Sequence, residues 1–138
     1  MVEYKLVIGM QDGKCVQKEV KSPDADAFSK KIIGDIIKGD SCGFPGYEFE
    51  ITGGSDKCGF PMRKGIQAAR KKVMIGKGVG FSGKNRNKKK QKGLLKRRTV
   101  CGERVTSIIR QVNLKVTKAG KEPLAAPAEA TPTEEAKQ

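Results

Sequence analysis

Between Lys57 and Gly102 the chain runs 46 residues without one aspartate or glutamate, while carrying 16 lysines and arginines. Sixteen uncompensated cations repel one another and oppose compaction, so the hydrophobic core has to come from the segments on either side. Those flanks are nearly balanced: residues 1–56 hold 7 basic against 10 acidic side chains, and residues 103–138 hold 6 against 5. The formal charge of +14 is therefore a property of the middle third. A polyanion relieves such a segment best, because each neutralised phosphate of a nucleic-acid backbone releases condensed counterions.

At 138 residues the chain fits one domain. No apolar run approaches the roughly 20 residues that span a bilayer. The N-terminal MVEYKLVIGMQDGK reads as a strand rather than a signal peptide, so the expected location is the cytoplasm. Cys15, Cys42, Cys58 and Cys101 form no Cys-x-x-Cys pair, and the chain has no histidine. Neither a zinc site nor a cofactor is expected, and the thiols read as buried and free in a reducing compartment. Lack of histidine also removes Ser-His-Asp, Cys-His and zinc-deaminase chemistry. No enzymatic role is expected.

Tyr4–Met10 and Cys15–Val20 flank Asp12-Gly13, a strong hairpin signal. Ser22-Pro23-Asp24 has the pattern of a helix start, with Ser22 as N-cap and Pro23 at the first helical position. Phe28, Ile32, Ile33, Ile36 and Ile37 follow at helical spacing and predict one helix ending at Gly39. Tyr47–Thr52 alternates as a half-buried strand that Gly53-Gly54 terminates, with positive φ in a tight turn. Arg70–Ile75 and Val105–Thr117 predict two more strands, the latter with Val112, Leu114 and Val116 on one face. Lys84–Lys92 has almost no apolar content, so the arm Lys84–Arg98 is expected to be disordered without a ligand. Residues 119–138, rich in Ala, Pro, Glu and Thr, read as a flexible tail.

The densest local signal is Ile51-Thr-Gly-Gly-Ser-Asp-Lys-Cys-Gly-Phe-Pro-Met62. Asp56 is placed to accept hydrogen bonds from nearby amides and pin the loop, Gly59 lets the backbone fold close, and Pro61 fixes the exit direction. As a general base Asp56 lacks a titratable partner nearby in sequence. This string resembles the signature of the archaeal and eukaryotic small-subunit ribosomal protein family S-six-e, whose fixed positions are met by Gly53, Gly54, Asp56, Gly59, Pro61 and Met62. The resemblance covers roughly residues 3–118. It implies a β-barrel-like domain that binds folded small-subunit ribosomal RNA beside neighbouring ribosomal proteins and serves translation without catalysis. Eukaryotic members carry a long basic extension with phosphorylated serines; this chain instead has an acidic Ala/Pro-rich tail, and its short form suggests an archaeal source.

Lys77-Gly-Val-Gly-Phe81 echoes the core of an RNA-recognition motif, but Val79 stands where the first stacking aromatic belongs. Gly76, Gly78, Gly80 and Gly83 do not spell a phosphate-cradling loop. The expected RNA contacts are therefore the cations themselves: Lys57, Arg63, Lys64, Arg70, Lys71, Lys72, Lys77, Lys84, Arg86, Lys88, Lys89, Lys90, Lys92, Lys96, Arg97 and Arg98. With only Phe60 and Phe81 as aromatics in this segment, recognition should run through backbone and shape.

These observations predict an α+β, mostly β, barrel-like domain over residues 1–118, with one helix, a basic segment at 57–102 and a tail at 119–138. The expected function is that of a structural ribonucleoprotein component of the small subunit. The alternative is a free-standing RNA- or DNA-binding regulator or chaperone. A third class, an RNA-modifying enzyme, would have only Asp56, Glu103 and scattered cysteines to work with.

Overall fold

The computed structural model describes residues 2–120 and Leu124. Among these, seven strands form two sheets: β1 (Glu3–Gly9), β2 (Cys15–Lys21), β3 (Ile36–Lys38), β4 (Glu48–Asp56), β5 (Arg70–Ile75), β6 (Lys96–Cys101) and β7 (Ile109–Lys118). The larger sheet has the order β2-β1-β7-β4-β3, while β5 and β6 pair as a separate ribbon. The expected hairpin is present, running from Glu3↔Lys21 to Gly9↔Cys15 around Asp12-Gly13. β7 lies parallel to β1 and antiparallel to β4. Three register shifts along β4–β7 bend the strands as bulges do, and the sheet curls into a half-barrel.

One face of that curl is the core. Tyr4, Leu6 and Ile8 of β1, Phe49 and Ile51 of β4, and Val112, Leu114 and Val116 of β7 all point inward, as period-2 alternation requires. Each such side chain contributes roughly 1.5–3 kcal/mol by leaving water. Tyr4 and Phe28 meet edge-on with ring centroids 6.4 Å apart.

The predicted helix over Ser22–Gly39 is not formed. Asp24–Phe28 make a short 3-10 turn that buries Ala25 and Phe28, and the chain then turns extended. Lys30 N–H donates to Val105 O at 3.0 Å, Ile33 N–H to Glu103 O at 3.1 Å, and Ile36–Lys38 pair with β4. Four β-branched isoleucines lose rotamer freedom in a helix but fit a strand, and Gly34 adds a helix-weakening residue. Sheet pairing therefore prevails. Ile36 ends 57% exposed and Ile37 5%, the alternation of a strand edge.

Gly53-Gly54 does not terminate β4 either; the strand continues to Asp56, and neither glycine takes a positive φ. Gly54 serves close approach instead. A Cβ there would run into the carbonyl oxygen of Gln111 and lie 3.0 Å from Met62 Sδ.

The arm Lys84–Arg98, expected to lack structure, is folded. Asn85 N–H donates to Lys89 O and Lys88 N–H to Asn85 O, both at 2.9 Å, and Lys96–Arg98 open strand β6. A second, small core holds this unit: Ile75, Phe81 and Val100, with Ile66, Val73 and Leu94 packed on it. The expected flexible tail falls, apart from Ala119, Gly120 and Leu124, outside the described residues. Leu124 is buried in the main core.

Candidate nucleic-acid interface

The basic ribbon is joined to the half-barrel through the loop after β4. Ser55 bridges Pro61 on one side, and Met62 bridges Cys101 of β6 on the other. Met62 N–H donates to Gly54 O at 2.8 Å, and Cys101 N–H to Pro61 O at 2.8 Å, so the loop over residues 57–62 stitches two sheets together. Gly59 takes φ +84° at the tip, a conformation other residues resist.

Asp56 anchors this junction. Its side chain is fully buried. Oδ1 accepts the amides of Cys58 at 2.8 Å and Phe60 at 3.0 Å; Oδ2 accepts Arg70 Nε at 2.6 Å and the Cys101 thiol at 3.2 Å. Four donors fill the roughly four lone-pair sites a carboxylate offers. Burial alone would push the Asp56 carboxyl up. The Phe60 amide, Cys101 thiol, Arg70 guanidinium and Cys58 amide outweigh burial and hold it below its ordinary value. Burial, with the neighbouring carboxylate, pushes the Cys101 thiol up to about 11. A saturated carboxylate with a lowered pKa is a structural anchor, not a base waiting for a substrate.

The β5–β6 register solves the problem that six cations pose in one ribbon. Lys96, Arg97 and Arg98 stand opposite Ile75, Met74 and Val73, while Arg70, Lys71 and Lys72 stand opposite Cys101, Val100 and Thr99. No cation faces another across the strands, an arrangement that avoids direct like-charge opposition. Cross-strand partners share a face, so Lys71, Lys96 and Arg98 lie on one side and Arg70, Lys72 and Arg97 on the other. The ribbon is charged on both faces. Lys96 and Arg98 stand over the buried Phe81 ring, 5.6 and 5.8 Å from its centroid. Phe81 is thereby a core residue, closed off from bases.

Of the remaining expected contacts, Lys57 lies in the junction loop, Arg63 and Lys64 follow it, and Lys77 follows β5. Lys84, Arg86, Lys88, Lys89, Lys90 and Lys92 crowd the turn before β6. Among the described residues, fifteen of the sixteen cations have no ion-pair partner, Arg70 with Asp56 being the exception. The half-barrel differs: Lys5–Glu19, Lys21–Glu3, Arg110–Glu3 and Lys118–Glu48 all pair there. Two features escaped the sequence. Arg104, exposed beside Gln67 and Gly102, continues the basic surface beyond the acid-free window, while the neighbouring Glu103 carboxylate is tied to the Gly65 amide at 2.8 Å. A groove lined by Phe60 and Thr99 along with Lys72, Arg97 and Arg98 had no signal in spacing.

No group of three or more His, Cys, Asp or Glu side chains among the described residues is arranged to hold a metal, and none of their helices is long and apolar enough to cross a membrane.

The sequence model of the family described as Ribosomal protein S6e matches residues 4–129. The chain is 40% identical over 126 residues to the small ribosomal subunit protein eS6 of Archaeoglobus fulgidus, covering 89% of this chain and 93% of that one. It is 37% identical over 123 residues to the eS6 protein of Natronomonas pharaonis, covering 88% and 91%. Against that of Methanococcus maripaludis it is 37% identical over 130 residues, covering 93% and 98%. A signature loop that stitches a curled sheet to a two-faced basic ribbon, matched along nine-tenths of the relatives' length, places this chain in the ribosomal protein S6e family.

Proposed function

We propose that the chain is a structural constituent of the small ribosomal subunit that binds folded ribosomal RNA through residues 57–102. The observation that carries this reading is the fifteen cations without an ion-pair partner among the described residues, thirteen of them exposed, on the ribbon and its loops. Exposed cations spread over the ribbon and its loops suit contact with phosphate backbone, neutralising it and fixing position without reading bases. The acidic N-terminal third, where Glu3, Glu19 and Glu48 pair with lysines or arginines of the half-barrel, is left to face solvent or neighbouring ribosomal proteins.

Two experiments test this. In a sucrose gradient of native lysate, the chain should sediment with the small subunit and stay there at moderate salt. Recovery at the top of the gradient would favour a free-standing nucleic-acid binder. Replacing Lys88, Lys89 and Lys90 with Gln should weaken binding to all structured RNAs alike and reduce the log–log salt slope by about 2 to 3 units. An unchanged slope would remove these lysines from the phosphate contacts.

A further inference from the structure

Beside the junction loop lies a groove of about 450 Å³, lined by Phe60, Pro61, Lys72, Arg97, Arg98 and Thr99. Its composition departs from that of the rest of the basic surface. Lys72, Arg97 and Thr99 share the ribbon face that borders it. Two cations there meet an aromatic ring, a proline ring and a hydroxyl that has no hydrogen-bond partner among the described residues, while the Arg98 guanidinium lies over Phe81 on the other face. The ring is held in place from behind: the Phe60 amide donates to Asp56 Oδ1, and the Arg70 guanidinium, itself bonded to Asp56 Oδ2, lies 5.5 Å from the Phe60 centroid. The larger groove beside Lys90–Leu95, about 530 Å³, has no aromatic ring.

We infer that this groove takes one unpaired nucleotide of the bound RNA, its base stacked on the Phe60–Pro61 surface and its phosphate held by Lys72 and Arg97. The groove is half open to solvent, with a volume in the range of small-molecule sites. A base inside a duplex has its faces covered by its neighbours, whereas a bulged or looped-out base presents a π-face to an aromatic ring. The Thr99 hydroxyl supplies a donor and an acceptor for the ribose or the base edge. Cations alone would bind the groove to any backbone. A pinned ring among them adds a preference for RNA with an extruded nucleotide. This inference rests on the RNA-binding reading above and refines where and how one contact is made.

The test uses the full chain and two RNA hairpins of equal length, one fully paired and one with a single bulged 2-aminopurine. At matched salt the bulged hairpin should bind at least about five-fold tighter, with quenching of the 2-aminopurine. Phe60→Leu, which keeps the apolar contact with the core, should abolish that advantage and leave the salt slope unchanged. Arg97→Gln, on an exposed position, should weaken both hairpins and lower the slope by about one unit. Equal binding of the two hairpins, or a bulge preference that survives Phe60→Leu, would overturn the nucleotide site while sparing the phosphate-binding reading. Binding to neither hairpin would remove both.

Discussion

Asp56→Asn is the most informative single change, because it keeps the shape of the junction and alters one atom's chemistry. Asn retains an oxygen for the Cys58 and Phe60 amides. The second position becomes an amide donor facing Arg70 Nε, which was 2.6 Å away, and the Cys101 thiol. Leaving a buried NH2 without an acceptor costs about 1–3 kcal/mol. The Arg70 side chain is 40% exposed and can turn to water, so loss of its ion pair adds little after screening. The expected destabilisation is therefore about 1–3 kcal/mol. Urea unfolding followed by far-UV circular dichroism should show it as a midpoint shift of about 1–2 M with an unchanged slope. The pH dependence gives a second readout. Since the folded Asp56 carboxyl titrates below its ordinary value, the unfolded chain binds that proton more readily. The contribution is fully present above the ordinary carboxylate value of about 3.9 and is lost as pH falls from there towards the lower folded value. The gap between the two proteins should be flat above about pH 5 and narrow below about pH 4. A loss under about 0.5 kcal/mol, or a gap that does not change down to pH 3, would refute an ionised, four-donor Asp56.

Gly54→Ala forces a methyl into the Gln111 carbonyl between two sheet strands, and should cost about 2–3 kcal/mol, seen as a lower Tm; a wild-type melt would show that β4 and β7 are not so close. Phe81→Ala empties the small core under the ribbon, a loss of about 3–5 kcal/mol. Amide exchange should accelerate in β5 and β6 while β1, β4 and β7 stay protected, and uniform acceleration would mean that the ribbon has no core of its own. Native-state alkylation near pH 8 should modify the exposed Cys15 and Cys58 and spare the buried Cys42 and Cys101, whose thiols are both pushed up to about 11 by burial. Rapid labelling of Cys101 would contradict its place beneath Asp56.

What the sequence made legible was chemistry set by neighbours along the chain. The Asp12-Gly13 hairpin, the β5 span Arg70–Ile75 and the inward face Val112-Leu114-Val116 all follow from alternation and turn residues, and the acid-free window marked the charged surface. The misreadings share one physical cause. Ile32, Ile33, Ile36 and Ile37 show helical spacing, yet their backbone partners lie at Phe49–Ile51 and Glu103–Val105, invisible to a local window. Gly53-Gly54 looks like a turn until β7 is placed against it. Lys96-Arg97-Arg98 reads as a solvated charge run because the residues that make it a strand, Val73 to Ile75, sit on the other side of a loop. The groove at Phe60 is likewise assembled from four separate segments, Phe60-Pro61, Lys72, Gly80 and Arg97-Arg98-Thr99.

The parallel pairing of β1 with β7 also sets an order of events. Tyr4, Leu6 and Ile8 leave the ribosome well before the strand that covers them, which is the last of those described to be made. Closing that loop spans most of the chain, the high-contact-order arrangement that folds slowly. Through synthesis the β1–β2 hairpin has only itself to pair with, while all sixteen cations emerge before β7 can seal the half-barrel. A chain stopped short of Ile109 should therefore be a sticky polycation without a native core. Until β7 is in place, that charge has no sealed half-barrel beside it.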